Sequence, residues 1–178
     1  MGRAVLVVVS GPAGAGKTTL AHGLAKILGC PAILRDEIKQ GLVLADDEYR
    51  PEPGDAMTWR ATEAFFDVLR LMLDAGCTLV AEAAFQDRLW NPRLTALKDL
   101  ADIRIIRCEA PESVRRERVA QRLESDGHRR AHADHSLTFQ GGFVPVEMDV
   151  PTLDVDTSDG YRPGMDEIAA FARGFTEH

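Results

Sequence analysis

Eight consecutive residues constrain this chain more than anything else in it. Gly11-Pro12-Ala13-Gly14-Ala15-Gly16-Lys17-Thr18 fits the pattern G-x-x-x-x-G-K-[ST]. Before it runs Ala4–Val9, an unbroken apolar stretch rich in Val. Continuous hydrophobicity of this kind fits a central parallel strand buried on both faces. After it, Leu20, Leu24, Ile27 and Leu28 recur at helical spacing, with Gly29 as a C-terminal stop. A strand, a glycine turn and a helix in that order bring backbone N–H groups and the positive end of a helix around an anion. The pattern predicts that Gly11, Ala13, Gly14, Ala15, Gly16, Lys17, Thr18 and Thr19 cradle the phosphates of ATP. Lys17 reaches the β- and γ-phosphates, and Thr18 offers its hydroxyl to Mg²⁺. A glycine turn that only joined strand to helix would leave the Lys17-Thr18 pair unexplained.

The rest of the chain alternates short apolar runs with helical periods. Pro31–Leu34 reads as a second strand, and Asp36 as the cap of a helix running to about Leu44. Asp46–Gly54 holds two prolines, four acids and no apolar period, so it reads as a loop. Asp55–Ala75 reads as a long helix with Trp59, Phe66, Leu69 and Leu73 on one inward stripe. Thr78–Ala81 is a third strand ending at Glu82. Pro92–Asp99 is a short helix, Ile103–Cys108 a fourth strand, and Pro111–Leu123 a helix with Pro at its first turn. Leu153–Val155 closes the set of strands. Pro163–Phe175 closes the helices, with Met165, Ile168, Ala172 and Phe175 inward. The alternation predicts one parallel α/β sheet with helices on both faces, in a single domain over residues 1–178. Residues 124–150 carry little period, a Gly141-Gly142 pair and three of the five histidines. A stretch of that length inside a compact domain reads as a lid or binding loop.

Charge narrows the partners. Asp and Glu number 28 against 21 Lys and Arg, a net charge of −7. An acidic surface disfavours coating of nucleic acid or anionic membrane. Arg104–Arg130 is the exception, with eight basic residues, five acids and a local charge of +3. Within it Arg115, Arg118 and Arg122 are spaced three and four apart and share one helical face. Cys30, Cys77 and Cys108 are odd in number and far apart, which fits free thiols in a reducing cytoplasm. The apolar run at Ala4–Val9 is too short for a signal core or a membrane span. His128, His132 and His135 with Asp134 lack cysteine partners and read as contacts to substrate or solvent rather than a zinc site.

A triphosphate site does not fix the reaction. Motors and regulatory GTPases need more machinery than this length carries, and the guanine-reading Asn-Lys-x-Asp motif is missing. A short chain with a late, Arg-bearing lid suits a kinase that closes over two substrates and excludes water.

Beyond the phosphate loop, four further pieces stand in a telling order. They are Arg35-Asp36-Glu37-Ile38-Lys39, Leu79-Val80-Ala81-Glu82-Ala83-Ala84-Phe85, Cys108-Glu109-Ala110-Pro111-Glu112 leading into Arg118-Val119-Ala120-Gln121-Arg122, and Val155-Asp156-Thr157. In this order the chain resembles the small P-loop kinases of the AAA-type and zeta-toxin-like group. That group includes the kinase domain of polynucleotide kinase, chloramphenicol phosphotransferase and gluconate kinase. The resemblance implies a three-layer α/β/α fold with a five-stranded parallel sheet and a lid over about 124–150. It implies that Asp36 accepts the proton of the acceptor hydroxyl, a general base's role. It implies that Arg118 and Arg122 touch the phosphates from the lid, where such groups stabilise transition-state charge. It also matches Asp156-Thr157-Ser158-Asp159-Gly160 to the loop that passes the adenine. Polynucleotide kinase has Arg three residues beyond the aspartate, where this chain has Lys39, a point charge in place of a fork.

Glu82 is left with two readings: an acid that holds Mg²⁺ through water or contacts the acceptor, or a buried acid paired with an Arg such as Arg88. Phe85, Trp90 and the Asp46–Asp55 loop are placed where an acceptor would arrive. Phe65 and Phe66 read as core. The sequence thus predicts a Mg²⁺- and ATP-dependent kinase acting on a small-molecule hydroxyl, with Lys17, Asp36, Arg118 and Arg122 at the chemistry and Thr18 and Glu82 at the metal. A polynucleotide 5′-hydroxyl kinase is the alternative, favoured by the local +3 and opposed by the net −7. A nucleotide-driven switch or NTPase with a protein partner is the third reading.

Overall fold

In a computed structural model, the structure describes residues 2–46, 48–50, 56–125 and 143–174, with the side chains of 123–125 set aside. Five strands form one parallel sheet in the order β2-β3-β1-β4-β5. They are β1 (Val5–Ser10), β2 (Ala32–Leu34), β3 (Leu79–Glu82), β4 (Asp102–Glu109) and β5 (Thr152–Asp156). The helices are α1 (Lys17–Leu28), α2 (Arg35–Leu44), α3 (Ala56–Asp74), α4 (Asp87–Thr95), α5 (Glu112–Ser125) and α6 (Met165–Arg173).

β1 lies at the centre, paired with β3 on one side and β4 on the other. This explains its unbroken apolar run. Leu6 and Val8 face one layer, where Phe65, Phe66, Leu69 and Leu73 of α3 and Trp90 and Leu94 of α4 cover the sheet. Val7 and Val9 face the other, covered by Leu20, Ala21, Leu24 and Ala25 of α1 and by Ile168, Ala169 and Ala172 of α6. With both faces covered, every position of the central strand needs an apolar side chain. The expected three-layer α/β/α fold with a five-stranded parallel sheet is therefore present.

Phe65, Phe66, Phe85 and Trp90 form one aromatic cluster, with ring centroids 5.0–6.1 Å apart. Phe65 touches the other three and is fully buried. Replacing it by Ala removes the hinge of the α3–α4 layer. Phe65→Ala is expected to cost about 3–5 kcal/mol of stability, read from urea unfolding at unchanged m-value.

Local expectations fail at four places. Trp59 is 50% exposed. It shares a helical face with Phe66, but Phe66 is covered by Trp90 and Arg93 of α4. Seven residues earlier, about 10 Å along the helix axis, that cover has run out. The helix expected from Pro92 begins at Asp87 and carries Pro92 inside it. Asn91 and the Glu147 backbone N–H both hydrogen-bond the Asp87 carboxylate, which holds that early turn and keeps Asp87 below the usual carboxylate range. Asp36 is not a cap. α2 starts one residue earlier, after Leu34, and Asp36 lies in its first turn. Phe85 and Trp90 are core members and do not line an approach for an acceptor.

Of the segment expected as a lid, residues 126–142 lie outside the described residues, and with them His128, Arg129, Arg130, His132, Asp134 and His135. Phe175 and Asp55 lie outside as well. The described remainder, after residue 142, is tied to α4. Gln86 bridges Pro145, Asn91 donates to the Glu147 carbonyl at 2.8 Å, and Val146 is buried.

Candidate active site

All strands of a parallel sheet end on one edge, and the loops that leave that edge carry the site. β1 ends at Ser10, and the glycine loop follows before α1 opens at Lys17. Gly16 caps α1 without a side-chain hydrogen bond, and the first turn holds no acid. The first-turn N–H groups are therefore left for an external acceptor.

Two of the loop glycines are enforced by close approach. At Gly11 (φ 148°) an added Cβ would lie 2.5 Å from the Cys108 carbonyl oxygen of β4. At Gly14 (φ 77°) it would lie 2.4 Å from the Arg115 carbonyl oxygen of α5. Both obstacles are backbone, so the loop itself must move. Gly14→Ala is expected to weaken ATP binding at least about tenfold, measured by calorimetric titration, with the sheet retained by circular dichroism.

Lys17 lies along the loop and donates from Nζ to the Pro12 carbonyl at 2.9 Å. Thr18 donates from Oγ1 to Glu82 Oε2 at 3.2 Å. Glu82 is buried at the end of β3, in register with Val9 of β1. The strand pairing delivers a carboxylate to the first turn of α1, although 64 residues separate the two in sequence. Thus Glu82 meets Thr18. A hydroxyl and a carboxylate are hard oxygen donors of the kind Mg²⁺ takes.

Cys108 lies beneath the loop at the end of β4. Burial pushes its thiol up to about 12, against the pull of Lys17 and with a further push from Glu82. It stays neutral at physiological pH and is no nucleophile. All three cysteines are free; Cys108 is buried, and Cys30 and Cys77 are partly exposed.

α5 runs alongside the loop. Arg118 donates from Nη2 to the Thr157 carbonyl at 2.7 Å and the Ser158 carbonyl at 3.2 Å, and from Nη1 to the Gly14 carbonyl at 3.4 Å. It thereby ties the phosphate loop to the turn after β5. Arg122 follows one turn later on the same helix, half-buried. Arg115 is turned to its own helix start, donating from Nε to the Ala110 carbonyl at 3.1 Å.

Thr157 is the residue that sequence reasoning undervalued. It is buried, its hydroxyl lies 3.0 Å from both the Ala15 and the Glu109 carbonyl oxygens, and its N–H donates to Glu109 at 2.8 Å. It braces the loop from the far side of β4. Only its place just after a strand hinted at this. Next to it, the Ser158 hydroxyl and N–H hydrogen-bond the Asp156 carboxylate and hold it below the usual range.

Asp36 stands on the neighbouring part of the same edge. β2 ends at Leu34, whose register partner is Glu82, and Asp36 follows in the first turn of α2. Its Oδ1 accepts from Arg35 Nη1 at 2.9 Å, and about half of its side chain is exposed. The structure therefore brings Lys17, Thr18 and Glu82 into one cluster. It joins Arg118 to Gly14 and sets Asp36 one strand away from Glu82 on the open edge. Ala13 and Thr19 are exposed around the loop, and Gly11, Gly14 and Ala15 are buried in it. Among the described residues, no group of three or more His, Cys, Asp or Glu is arranged for a metal. No helix among them is long and apolar enough to cross a membrane.

A glycine loop between a central parallel strand and a helix, braced by a Thr–Glu contact, defines a nucleotide-binding P-loop protein with the fold of the P-loop kinases. The chain belongs to the AAA domain family, whose model matches residues 6–145. No curated protein matches it. Among solved structures it is similar to a candidate kinase from Chloroflexus aurantiacus J-10-fl, at 25% identity and TM-score 0.85, over 99% of this chain and 100% of that one. It is also similar to the APS kinase of Mycobacterium tuberculosis, solved with AMPPNP and APS, at 18% identity and TM-score 0.64 over 98% of each chain. A gluconokinase from Sinorhizobium meliloti 1021 matches at 18% identity and TM-score 0.55, over 95% of this chain and 89% of that one.

Proposed function

We propose that the chain is a Mg²⁺- and ATP-dependent kinase that transfers the γ-phosphoryl group to a hydroxyl of a small-molecule acceptor. The observation that carries this reading is the contact of Thr18 with buried Glu82 beside Lys17, with Asp36 on the adjoining strand edge. It supplies a place for a nucleotide and a separate carboxylate for an acceptor.

Lys17 and the loop N–H groups hold the β- and γ-phosphates. Thr18 and Glu82 would hold Mg²⁺, which neutralises phosphate charge when bound. Asp36 takes the proton of the acceptor hydroxyl as its oxygen bonds to the γ-phosphorus and the bond to the bridging oxygen of ADP breaks. Arg35 aims the Asp36 carboxylate through their contact. Arg118 holds the loop and the turn after β5 together, and Arg122 reaches the transferring group from the same helix face. The segment over about 124–150 acts as the lid that excludes water. Free thiols fit a cytoplasmic setting.

The test is ADP release from Mg²⁺-ATP with no acceptor, with 5′-hydroxyl oligonucleotides, and with pooled small alcohols, sugars and nucleosides. Stimulation by a small-molecule pool that disappears in Asp36→Asn is the expected result. Stimulation by oligonucleotides alone would make the acceptor a polynucleotide. Hydrolysis that no pool changes, and that survives Asp36→Asn, would overturn the kinase reading in favour of an NTPase or switch.

A further inference from the structure

Gly16 is the last residue of the phosphate loop before α1 and lies in the left-handed region at φ 75°. With no Cβ, glycine takes positive and negative φ alike. The peptide that joins Ala15 to Gly16 can therefore stand in either of two directions without a steric penalty. The direction decides the chemistry, because a trans peptide points its C=O and its N–H opposite ways. A carbonyl turned to the protein interior leaves the Gly16 N–H facing outward, where an anion is held by such groups. The reversed peptide would present a carbonyl oxygen to the phosphates and repel them.

Thr157, in the turn after β5, selects the direction. Its Oγ1 donates to the Ala15 carbonyl at 3.0 Å, in a contact away from water: Ala15 is fully buried and Thr157 is 4% exposed. Gly16 itself is half-buried. A buried carbonyl has no water to take in exchange, so the hydroxyl's hold on it is strong. The same hydroxyl lies 3.0 Å from the Glu109 carbonyl, which also accepts the Thr157 N–H at 2.8 Å. Glu109 thus keeps a bond to Thr157 without the hydroxyl, and the hydroxyl's separate effect is on Ala15. Arg118 fixes the arrangement from α5. It donates to the Thr157 carbonyl at 2.7 Å and to the Gly14 carbonyl at 3.4 Å. Two successive carbonyls of the loop are therefore bound by groups from distant parts of the chain.

We propose that Thr157 is a positioning residue of the phosphate site: its hydroxyl holds the Ala15 carbonyl inward and thereby aims the Gly16 N–H at a phosphate oxygen. The inference rests on the phosphate-binding part of the proposed function and on no acceptor, so it can fail while the kinase reading stands. Thr157 touches no ligand; it acts through one peptide group. It stands 142 residues from Ala15, outside the glycine-lysine pattern that marks the loop. Thr157→Val keeps the side chain's shape and the N–H bond to Glu109 and removes only the hydroxyl donor. The Ala15 carbonyl then gains by turning over towards solvent, which swings the Gly16 N–H away from the phosphate.

The experiment titrates the full chain by calorimetry with Mg²⁺-AMPPNP and, separately, with inorganic pyrophosphate. Thr157→Val is expected to weaken both by the same factor, about tenfold or more, because the lost bond is a charge-assisted one to phosphate. Thr157→Ser, which keeps the hydroxyl, is expected to bind both within about threefold of the parent. Amide NMR spectra give a second readout that a merely structural role would not move. The Gly16 amide proton is expected to shift on adding pyrophosphate to the parent and to stay in place in Thr157→Val at matched pyrophosphate. Near-parent affinity in Thr157→Val overturns the proposal. So does loss of AMPPNP binding with pyrophosphate spared, a Thr157→Ser variant as weak as Thr157→Val, or a Gly16 amide that pyrophosphate leaves unmoved in the parent. If Thr157→Val fails to fold by circular dichroism, Thr157→Ala is read in its place by the same criteria. A parent that binds neither probe would overturn the nucleotide reading and the proposal together, a result distinct from a parent that binds and a variant that binds as well.

Discussion

Lys17→Ala is expected to reduce ADP formation to background, a loss of about 10³-fold or more. The loop N–H groups would still surround the phosphates. What disappears is the ammonium group that the loop sequence supplies. In this structure Lys17 Nζ is spent on the Pro12 carbonyl, a neutral acceptor it can exchange for phosphate oxygens. A fixed ammonium next to the bridging oxygen between β- and γ-phosphates is worth most when that oxygen gains charge, so the loss falls on kcat more than on KM for ATP. The unfolding midpoint of the unliganded variant is expected to stay within a few degrees of the parent, because Lys17 is not in the buried core. Steady-state kinetics and calorimetric ATP titration on the same preparation check both halves. Near-normal turnover in the variant would remove the loop from the chemistry.

Asp36→Asn is expected to cut phosphoryl transfer by about 10²–10⁴-fold while ATP affinity stays near normal. The substitution is a clean one. Asn keeps an oxygen that still accepts from Arg35 Nη1, so the first turn of α2 is preserved. It removes only the capacity to take a proton. Asp36 belongs to α2, outside the phosphate loop, so ATP binding is expected to be spared. The readout is acceptor-dependent ADP release beside the ATP dissociation constant. Intact transfer in Asp36→Asn would assign the base elsewhere, while equal loss of ATP binding would make Asp36 structural.

The phosphate loop and the alternation of strands and helices were legible because both are local. Eight successive residues carry the turn, and its glycines are demanded at Gly11 and Gly14 by backbone that would collide with any Cβ. The Val run of β1 announces burial on two faces by lacking any alternation. Periodicity also found the stripe of Phe66, Leu69 and Leu73. It could not tell where the stripe's cover ends, so Trp59 was placed inside although it is half exposed. A proline at the apparent start of a helix similarly hid α4, whose first turn is held by long-range bonds from Glu147 to Asp87.

The site divides along the same line. Sequence by itself determined the loop, its lysine and threonine, and the order of carboxylates at strand ends, because hydrophobic period and glycine spacing are read within one element. Tertiary structure alone decided that Glu82 meets Thr18, that Arg118 and Thr157 brace the loop from α5 and the turn after β5, and that Lys39 is buried against Thr58. Each of those contacts depends on strand register and on helices packed across the sheet. A one-residue slip in β3 would turn Glu82 to the opposite face, and no local pattern reports which register the packed layers select.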